Sequence, residues 1–214
     1  MHRLIPGIRA FRENVFPSRR EQFEGLASGQ QPPTLFITCS DSRIVPEMLT
    51  QTEPGELFVL RNAGNMVPPG TAALSGEAAT IEYAIQVLKV EDVIVCGHSH
   101  CGAISGLLRP ELLEGLPAVE HWLGHAERVY REMHDDRLLR DSDDDLLTTA
   151  IKANVLVQLD HLRTYPLVAE AEARGDVHLH GCFYRFETGE VTLFDDVQRR
   201  FGPLGAVTAA KLSA

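Results

Sequence analysis

Residues 35–43, L-F-I-T-C-S-D-S-R, and residues 93–102, V-I-V-C-G-H-S-H-C-G, decide the fold of this chain. In each stretch a short apolar run rich in β-branched residues predicts a buried strand, and residues with coordinating or charged side chains follow at once. The carboxyl ends of parallel strands in an open α/β sheet face one crevice. We therefore expect the polar residues after the two strands to lie close together.

Three potential metal ligands follow these strands: Cys39, His98 and Cys101. Two thiolates and an imidazole suit tetrahedral zinc, and three protein ligands leave the fourth position for water, as in catalytic sites. The alternative is that the cysteines are small buried hydrophobic residues and His98 is a hydrogen-bonded core histidine. Asp41 and Arg43 favour the metal site, because no role in the core explains so dense a polar cluster at a strand end.

The composition is that of an ordinary globular domain with a sizeable core: 214 residues, of which 44% are hydrophobic and 23% charged. The formal net charge of −10 argues against a nucleic-acid partner, because phosphate binding needs a basic surface. No run approaches the length of a transmembrane helix, and no basic segment with an apolar signal core stands at the N-terminus. The four cysteines are thus expected to be reduced, in the cytoplasm or in an assembly within it.

The other elements are predicted from hydrophobic periodicity, turns and caps. They are a helix in residues 4–15 that ends at a break by Pro17, a second short helix at 18–27, helices at 44–50, 72–88 and 103–108, an irregular helical segment at 110–140, a helix capped by Asp141, Ser142 and Asp143, a helix at 166–174, a strand at 57–60, and a hairpin of strands 177–185 and 190–194. The apolar stripe of the 72–88 helix runs from Leu74 to Leu88. The predicted fold is α/β, with a mostly parallel central sheet flanked by helices, an antiparallel edge strand and an N-terminal helical arm. Residues 1–214 are expected to form one domain, with the arm at 1–28.

The motifs C-x-D-x-R and H-x-x-C, at residues 39–43 and 98–101, resemble those of the β-class carbonic anhydrases. The resemblance covers nearly the whole chain and is greatest to the plant and cyanobacterial branch. Further matching segments are Q-T-E-P-G-E-L-F-V-L-R-N-A-G-N at residues 51–65, I-E-Y-A at 81–84 and L-H-G at 179–181. The resemblance implies a zinc lyase in which a zinc-bound hydroxide converts carbon dioxide reversibly to bicarbonate and a proton.

Asp41 and Arg43 have expected roles beside the metal. Two thiolates donate more charge to zinc than two histidines would, so the bound water should be less acidic than on a three-histidine site. Asp41 is expected to accept a hydrogen bond from that water, and Arg43 to hold Asp41 ionised through a charge-assisted pair. A purely structural salt bridge is the alternative interpretation of this pair.

The resemblance also implies a substrate pocket formed by Gln30, Phe58, Tyr83 and the backbone N–H of Gly102. In the family the residue that matches Gln30 comes from the neighbouring subunit, and the N-terminal arm embraces a partner, so a homodimer or higher homo-oligomer is expected. From the residues alone, Phe58 could be a core aromatic, Tyr83 a helix-face residue and Gln30 a polar loop residue.

Some family members have a closed, inactive state in which the aspartate that matches Asp41 releases its arginine and becomes zinc's fourth ligand. That state is associated with bicarbonate at a nearby site of Trp, Arg and Tyr side chains. Arg61 and Tyr184 match the Arg and Tyr, but Phe36 stands in place of the Trp and lacks the indole N–H donor. We therefore predict an open form near neutral pH, with Asp41 held by Arg43.

Two alternative functions stay open: a carbonyl sulfide or carbon disulfide hydrolase on the same site, and a non-catalytic bicarbonate-binding scaffold. All five motif residues are present, which disfavours the scaffold. The chain has no C-x-x-C motif, which argues against a redox protein. The remaining candidates have ordinary interpretations. Cys96 and Cys182 are predicted to be core thiols, His100 a solvent-facing residue or a proton relay, and His178 and His180 strand residues without further ligands at metal-site spacing.

Overall fold

The computed structural model describes residues 2–133 and 144–204. The chain divides into two compact units, with the boundary after Gln31. The predicted helix cap at residues 141–143 lies outside the described residues. Within the described residues, no helix is both long and apolar enough to cross a membrane.

A six-stranded sheet forms the centre of the larger unit. Its strands are β1 (Thr34–Cys39), β2 (Leu57–Asn62), β3 (Asp92–His98), β4 (His178–Arg185), β5 (Glu190–Asp195) and β6 (Arg200–Pro203). The spatial order is β2-β1-β3-β4-β5-β6, in which the first four strands are parallel and the last two pairings are antiparallel. The predicted α/β class is confirmed, and β6 is an additional edge strand. Its sequence R-F-G-P is short and contains a glycine and a proline, which conceals it from pattern analysis.

The helices surround this sheet or precede it. They are α1 (Ile5–Ala10), α2 (Phe16–Leu26), α3 (Pro46–Thr50), α4 (Gly76–Tyr83), α5 (Gly102–Leu108), α6 (Pro117–Leu123), α7 (Val129–Glu132), α8 (Leu146–Arg163) and α9 (Pro166–Arg174), with π-helical turns at Phe11–Val15 and Ala84–Leu88 and 3-10 turns at Pro110–Leu113 and Gly124–Ala126. Of the irregular segment predicted at residues 110–140, the part up to residue 133 forms several short helices, and residues 134–140 lie outside the described residues.

The long helix α8 packs against β3 and β4. Its predicted inward residues Ile151, Val155 and Leu162 are buried. Gly97 permits the close approach, since a Cβ there would lie 2.9 Å from side-chain carbons of both Ile151 and Val155. The end of β3 at His98 is therefore fixed against a rigid helix.

Helix α4 begins later than predicted. Ser75 caps it, because its Oγ accepts a hydrogen bond from the Ala78 N–H at 3.2 Å. Leu74 lies before this cap and is 96% exposed, so its predicted place on the buried stripe is wrong. The stripe itself is correct further on, where Ile81 and Leu88 are buried.

The N-terminal unit contains α1 and α2, joined by the π-helical turn. The prediction that Pro17 breaks the helix is wrong. Pro17 lies in the first turn of α2, where its missing N–H costs no helical hydrogen bond. The rings of Phe11, Phe16 and Phe23 pack together with centroids 5.7–6.4 Å apart, yet no residue of these helices is buried.

Candidate metal centre

Cys39, His98 and Cys101 come together at the carboxyl ends of two neighbouring strands. Cys39 ends β1, His98 ends β3, and Cys101 is the N-cap residue of α5. Their ligand atoms all lie within 4.8 Å of one another, and all three residues are buried. Because β1 and β3 are parallel neighbours, the sheet itself brings these distant positions together.

The buried imidazole of His98 has one ring nitrogen without a partner. Its Nδ1 donates to the carbonyl oxygen of Ser99 at 2.9 Å, which fixes the tautomer and leaves a lone pair on Nε2. Nε2 is buried and has no hydrogen-bond partner. A buried polar atom without a partner is costly, and a metal ion between the two sulfurs would provide that partner. The donor set therefore fits a metal ion.

The two cysteines contact each other through their sulfur atoms. Their sulfur atoms lie 4.0 Å apart. A hydrogen bond from the Cys101 thiol is the main cause that lowers the pKa of Cys39, against the opposing effect of burial. The same contact, with burial, raises the pKa of Cys101 well above its usual range. One thiolate is thus already favoured here, and a divalent cation would displace the remaining proton.

Asp41 is clamped by Arg43 next to this cluster. The guanidinium donates from Nε to Oδ1 at 2.9 Å and from Nη2 to Oδ2 at 2.7 Å, and the Arg43 backbone N–H also donates to Oδ1 at 3.0 Å. Asp41 Oδ2 lies 4.0 Å from His98 Nε2, so the carboxylate borders the Cys39–His98–Cys101 cluster. The Arg43 side chain is the main cause that holds the pKa of Asp41 well below its usual range.

Phe186 completes the surroundings of Arg43, and sequence reasoning missed it. The centre of the guanidinium lies 4.6 Å from the Phe186 ring centroid, in cation–π geometry. Arg43 Nη2 also donates to the backbone oxygen of His100 at 3.0 Å. Phe186 follows β4 in the turn before β5, where a single aromatic gives no periodic signal that could have revealed it.

Two hydrogen bonds of Ser99 hold the turn after β4 beside the Cys39–His98–Cys101 cluster. Ser99 Oγ donates to Glu187 Oε2 at 2.6 Å and accepts from the Phe186 N–H at 3.1 Å. His100 Nε2 lies 3.4 Å from Glu187 Oε1, and the His100 side chain is 59% exposed. Of the two interpretations of His100, the structure agrees with a solvent-facing side chain.

Arg61 binds the backbone that carries the motif. Its Nε donates to the Cys39 carbonyl at 3.0 Å, and its Nη2 donates to the carbonyls of Asp41 and Ile44 at 2.7 and 2.9 Å. Phe36, in β1, is only 2% exposed. Arg61 therefore holds the loop after β1 in place.

The residues assigned to the substrate pocket lie on separate elements. The Phe58 and Tyr83 rings pack 5.9 Å apart, and Tyr83 is 45% exposed. Gly102 is the first residue of α5, directly after Cys101. Gln30 is exposed and belongs to the N-terminal unit.

The other candidates have structural explanations. Cys96 and Cys182 are buried free thiols that face each other in register between β3 and β4. His180 Nε2 lies 2.7 Å from Asp92 Oδ1, and His178 is exposed. Among the residues that the structure describes, no other group of three or more His, Cys, Asp or Glu side chains is arranged to hold a metal.

The chain is thus an α/β protein, and the Cys–His–Cys cluster at the ends of its parallel strands is a candidate metal centre. The family model described as carbonic anhydrase matches residues 34–191. With the cyanobacterial and structural relatives described next, this match shows that the chain belongs to the β-class carbonic anhydrases, a family of enzymes.

The similarity extends over most of the chain. A carbonic anhydrase of Synechocystis is 49% identical over 94% of this chain and 73% of its own length. One of Pseudomonas aeruginosa is 45% identical over 94% of this chain and 90% of its own. The solved β-carbonic anhydrase CcaA superposes with a TM-score of 0.89 at 48% identity, covering 95% of this chain and 91% of that one. A Coccomyxa β-carbonic anhydrase in complex with acetazolamide gives a TM-score of 0.74 at 31% identity, covering 88% and 83%.

Proposed function

We propose that this chain catalyses the reversible hydration of carbon dioxide to bicarbonate and a proton, with a zinc ion held by Cys39, His98 and Cys101. The observation that carries this proposal is the buried, unpartnered Nε2 of His98 between two thiol sulfurs. Membership of the carbonic anhydrase family supports the same reaction.

The donor set is suited to zinc rather than to a hard cation, because thiolate and imidazole are soft and intermediate ligands. When bound there, zinc would lower the pKa of a coordinated water toward neutrality and so supply a nucleophile. Burial of all three ligands excludes bulk water from the cluster and strengthens electrostatic interactions within it.

Asp41 is proposed to orient the reacting water. Its Oδ2, 4.0 Å from His98 Nε2, could accept a hydrogen bond from a water molecule held at the cluster. Acceptance requires an ionised carboxylate, and the two-pronged Arg43 contact keeps Asp41 ionised and fixed in direction. Arg43 is in turn held by the His100 carbonyl and the Phe186 ring, so the acceptor is positioned before the substrate arrives.

The substrate is small and uncharged, and we propose that Phe58, Tyr83 and the Gly102 N–H contact it, together with Gln30 from a neighbouring subunit. The packed rings of Phe58 and Tyr83 would supply an apolar surface. The Gly102 N–H, in the first turn of α5, is unpaired within the helix and could donate to a substrate oxygen.

We also propose that the working unit is a homodimer or a larger homo-oligomer built from one domain per chain. Exposed apolar residues near α4 support an interface, since Leu74, Tyr83 and Val87 are 96%, 45% and 59% exposed. A similar Sordaria macrospora structure, at a TM-score of 0.75 and 30% identity, is described as a tetrameric β-carbonic anhydrase. Sedimentation combined with activity measurements tests this, and a fully active monomer would rule it out.

The four free cysteines are consistent with a reducing compartment, and we propose the cytoplasm.

The reaction is tested by stopped-flow carbon dioxide hydration on purified protein whose zinc content is measured in the same sample. We expect one zinc per chain, loss of activity on chelation, and recovery when zinc is returned. Protein that carries zinc but releases sulfide from carbonyl sulfide without hydrating carbon dioxide would overturn the proposal.

A further inference from the structure

One face of α8 carries three buried polar side chains that bind the loop after β2. They are Asn154, Gln158 and His161, spaced four and three residues apart on the same side of the helix. Asn154 and Gln158 are fully buried, and His161 is 6% exposed. Polar side chains at such positions are retained only where each has a partner.

Their partners are backbone groups of that loop. Gln158 Oε1 accepts from the Val67 N–H at 2.7 Å, and His161 Nδ1 lies 2.7 Å from the Val67 carbonyl oxygen. Asn154 Nδ2 donates to the Gly64 carbonyl oxygen at 2.9 Å. Asn154 Oδ1 in turn accepts from Gln158 Nε2 at 2.8 Å, which fixes the direction of the Asn154 amide.

Gly64 connects these buried polar side chains of α8 to the Cys39–His98–Cys101 cluster. Its N–H donates to Cys39 Sγ at 3.3 Å. The residue has φ +79°, and a Cβ there would lie 2.9 Å from Met66 Cε and 3.1 Å from the Ala103 Cβ. Position 64 therefore favours glycine, because a side chain there would be strained by the positive φ and would press against Met66 and Ala103.

We propose that Asn154 is a positioning residue for the metal centre: by holding the Gly64 carbonyl, it directs the Gly64 N–H at the sulfur of Cys39. This inference rests on the proposed zinc function. An N–H···S hydrogen bond fixes the sulfur in space and withdraws some of the charge that a thiolate donates to its metal. That matters most at a site with two thiolate ligands, where donated charge works against an acidic bound water.

The test compares Asn154→Leu with His161→Leu. Leucine is close to asparagine in shape but cannot hold the Gly64 carbonyl. His161→Leu is the matched control, because it removes a buried hydrogen bond from the same helix to the same loop without touching Gly64. Two quantities are measured on each purified full-length variant: the zinc dissociation constant, by chelator competition, and the thiolate-to-metal charge-transfer absorption after cobalt(II) substitution.

We expect Asn154→Leu to weaken zinc binding by about 10- to 100-fold and to shift the cobalt charge-transfer band. His161→Leu should lose thermal stability but keep the wild-type zinc affinity and band position. If Asn154→Leu does not fold, Asn154→Ser, whose hydroxyl is too short to replace the amide, is measured in the same way.

An Asn154 variant with wild-type zinc affinity and an unshifted cobalt band would overturn the inference and leave the proposed function intact. Wild-type protein that binds no zinc at Cys39 would instead refute the proposed function, and the inference with it. The two failures are distinguished because the wild-type measurement is made first.

Discussion

Two Arg–Asp pairs of the same kind lie at opposite ends of the parallel strands. In each, the residues are two positions apart and the closest N–O distance is 2.7 Å, between Arg43 and Asp41 at one end and Arg174 and Asp176 at the other. The Arg43 and Asp41 side chains are 46% and 16% exposed, whereas the Arg174 and Asp176 side chains are 59% and 60% exposed. Arg43 is further held by a backbone carbonyl and the Phe186 ring.

The difference shows that neither the ion pair nor the size of a nearby cavity indicates function. The Arg174 pair borders a cavity of about 490 Å³ at the amino ends of β3 and β4, lined by groups of both charges such as Lys89, Glu91 and Asp92. Exposed pairs of this kind contribute about 0–1 kcal/mol and are screened by salt. What distinguishes the Arg43 pair is its position against a buried donor set that includes an unpartnered imidazole nitrogen.

The largest expected effect comes from removing that donor set. Cys101→Ala should lose most of the bound zinc and nearly all hydration activity, because two ligands cannot hold the ion at a catalytic site. Cys182→Ala is the matched control, since it also deletes a buried sulfur from the same unit, and it should keep one zinc per chain. Zinc analysis and the hydration assay measure both, and a Cys101→Ala protein that keeps metal and activity would contradict the assignment.

The two ion pairs can be compared directly by the same substitution. Arg43→Lys should lower the hydration rate by about 10- to 100-fold at unchanged zinc content, because lysine cannot form the two-pronged contact that orients Asp41. Arg174→Lys should leave the rate unchanged. Equal effects of the two substitutions would remove the basis for distinguishing the pairs.

A smaller effect is expected at Phe186. Phe186→Leu keeps an apolar side chain but removes the ring beneath the Arg43 guanidinium. A cation–π contact of an exposed cation is weak, so we expect a decrease of roughly two- to five-fold in the hydration rate. Zinc content should not change. A full wild-type rate would show that Arg43 needs no such support.

The smallest effect concerns a carboxylate with a structural role. Asp145 caps α8, since its Oδ1 accepts from the Thr148 N–H at 2.7 Å, and this bond is the main cause that lowers its pKa. Because the folded-state pKa is lowered, the stabilisation is present above the ordinary aspartate pKa of about 4 and disappears as the pH falls below it. Asp145→Ala should therefore cost about 1 kcal/mol in the free energy of unfolding at neutral pH and less in acid.

Chemical denaturation at several pH values measures this difference. Asp145→Asn, which keeps an oxygen acceptor, is the control and should retain most of the stability without the same pH dependence. A stability difference between wild type and Asp145→Ala that stays constant down to pH 3, roughly one unit below that ordinary pKa, would contradict the cap assignment.

The cluster could be predicted from sequence because its residues follow strands, and strand ends obey a simple spatial rule. Cys39 and His98 are 59 positions apart, yet the parallel register of β1 and β3 brings them together. The supports of the site could not be predicted in this way. Phe186 contacts Arg43, and Asn154 contacts Gly64, across separations in the chain for which no periodicity or motif gives a signal.

Several predicted boundaries of helices and strands are wrong, and the reasons are local. A serine cap starts α4 after Leu74, and apolar periodicity alone ignores the cap. Pro17 predicts a break in the helix, but proline is accommodated in the first turn of a helix, where the structure places it. The short strand β6 is recognisable only from its pairing with β5.

The most direct test of the account is a crystal structure of the zinc-loaded protein at roughly pH 7–8, close to the pKa near 7 of water on a catalytic zinc. We predict zinc on Cys39, His98 and Cys101, a water molecule as the fourth ligand, and Asp41 still paired with Arg43. The Phe36 position, which lacks an indole donor for an anion, is the reason to expect this open form. Zinc bound elsewhere, or an Asp41 oxygen as its fourth ligand, would contradict the account.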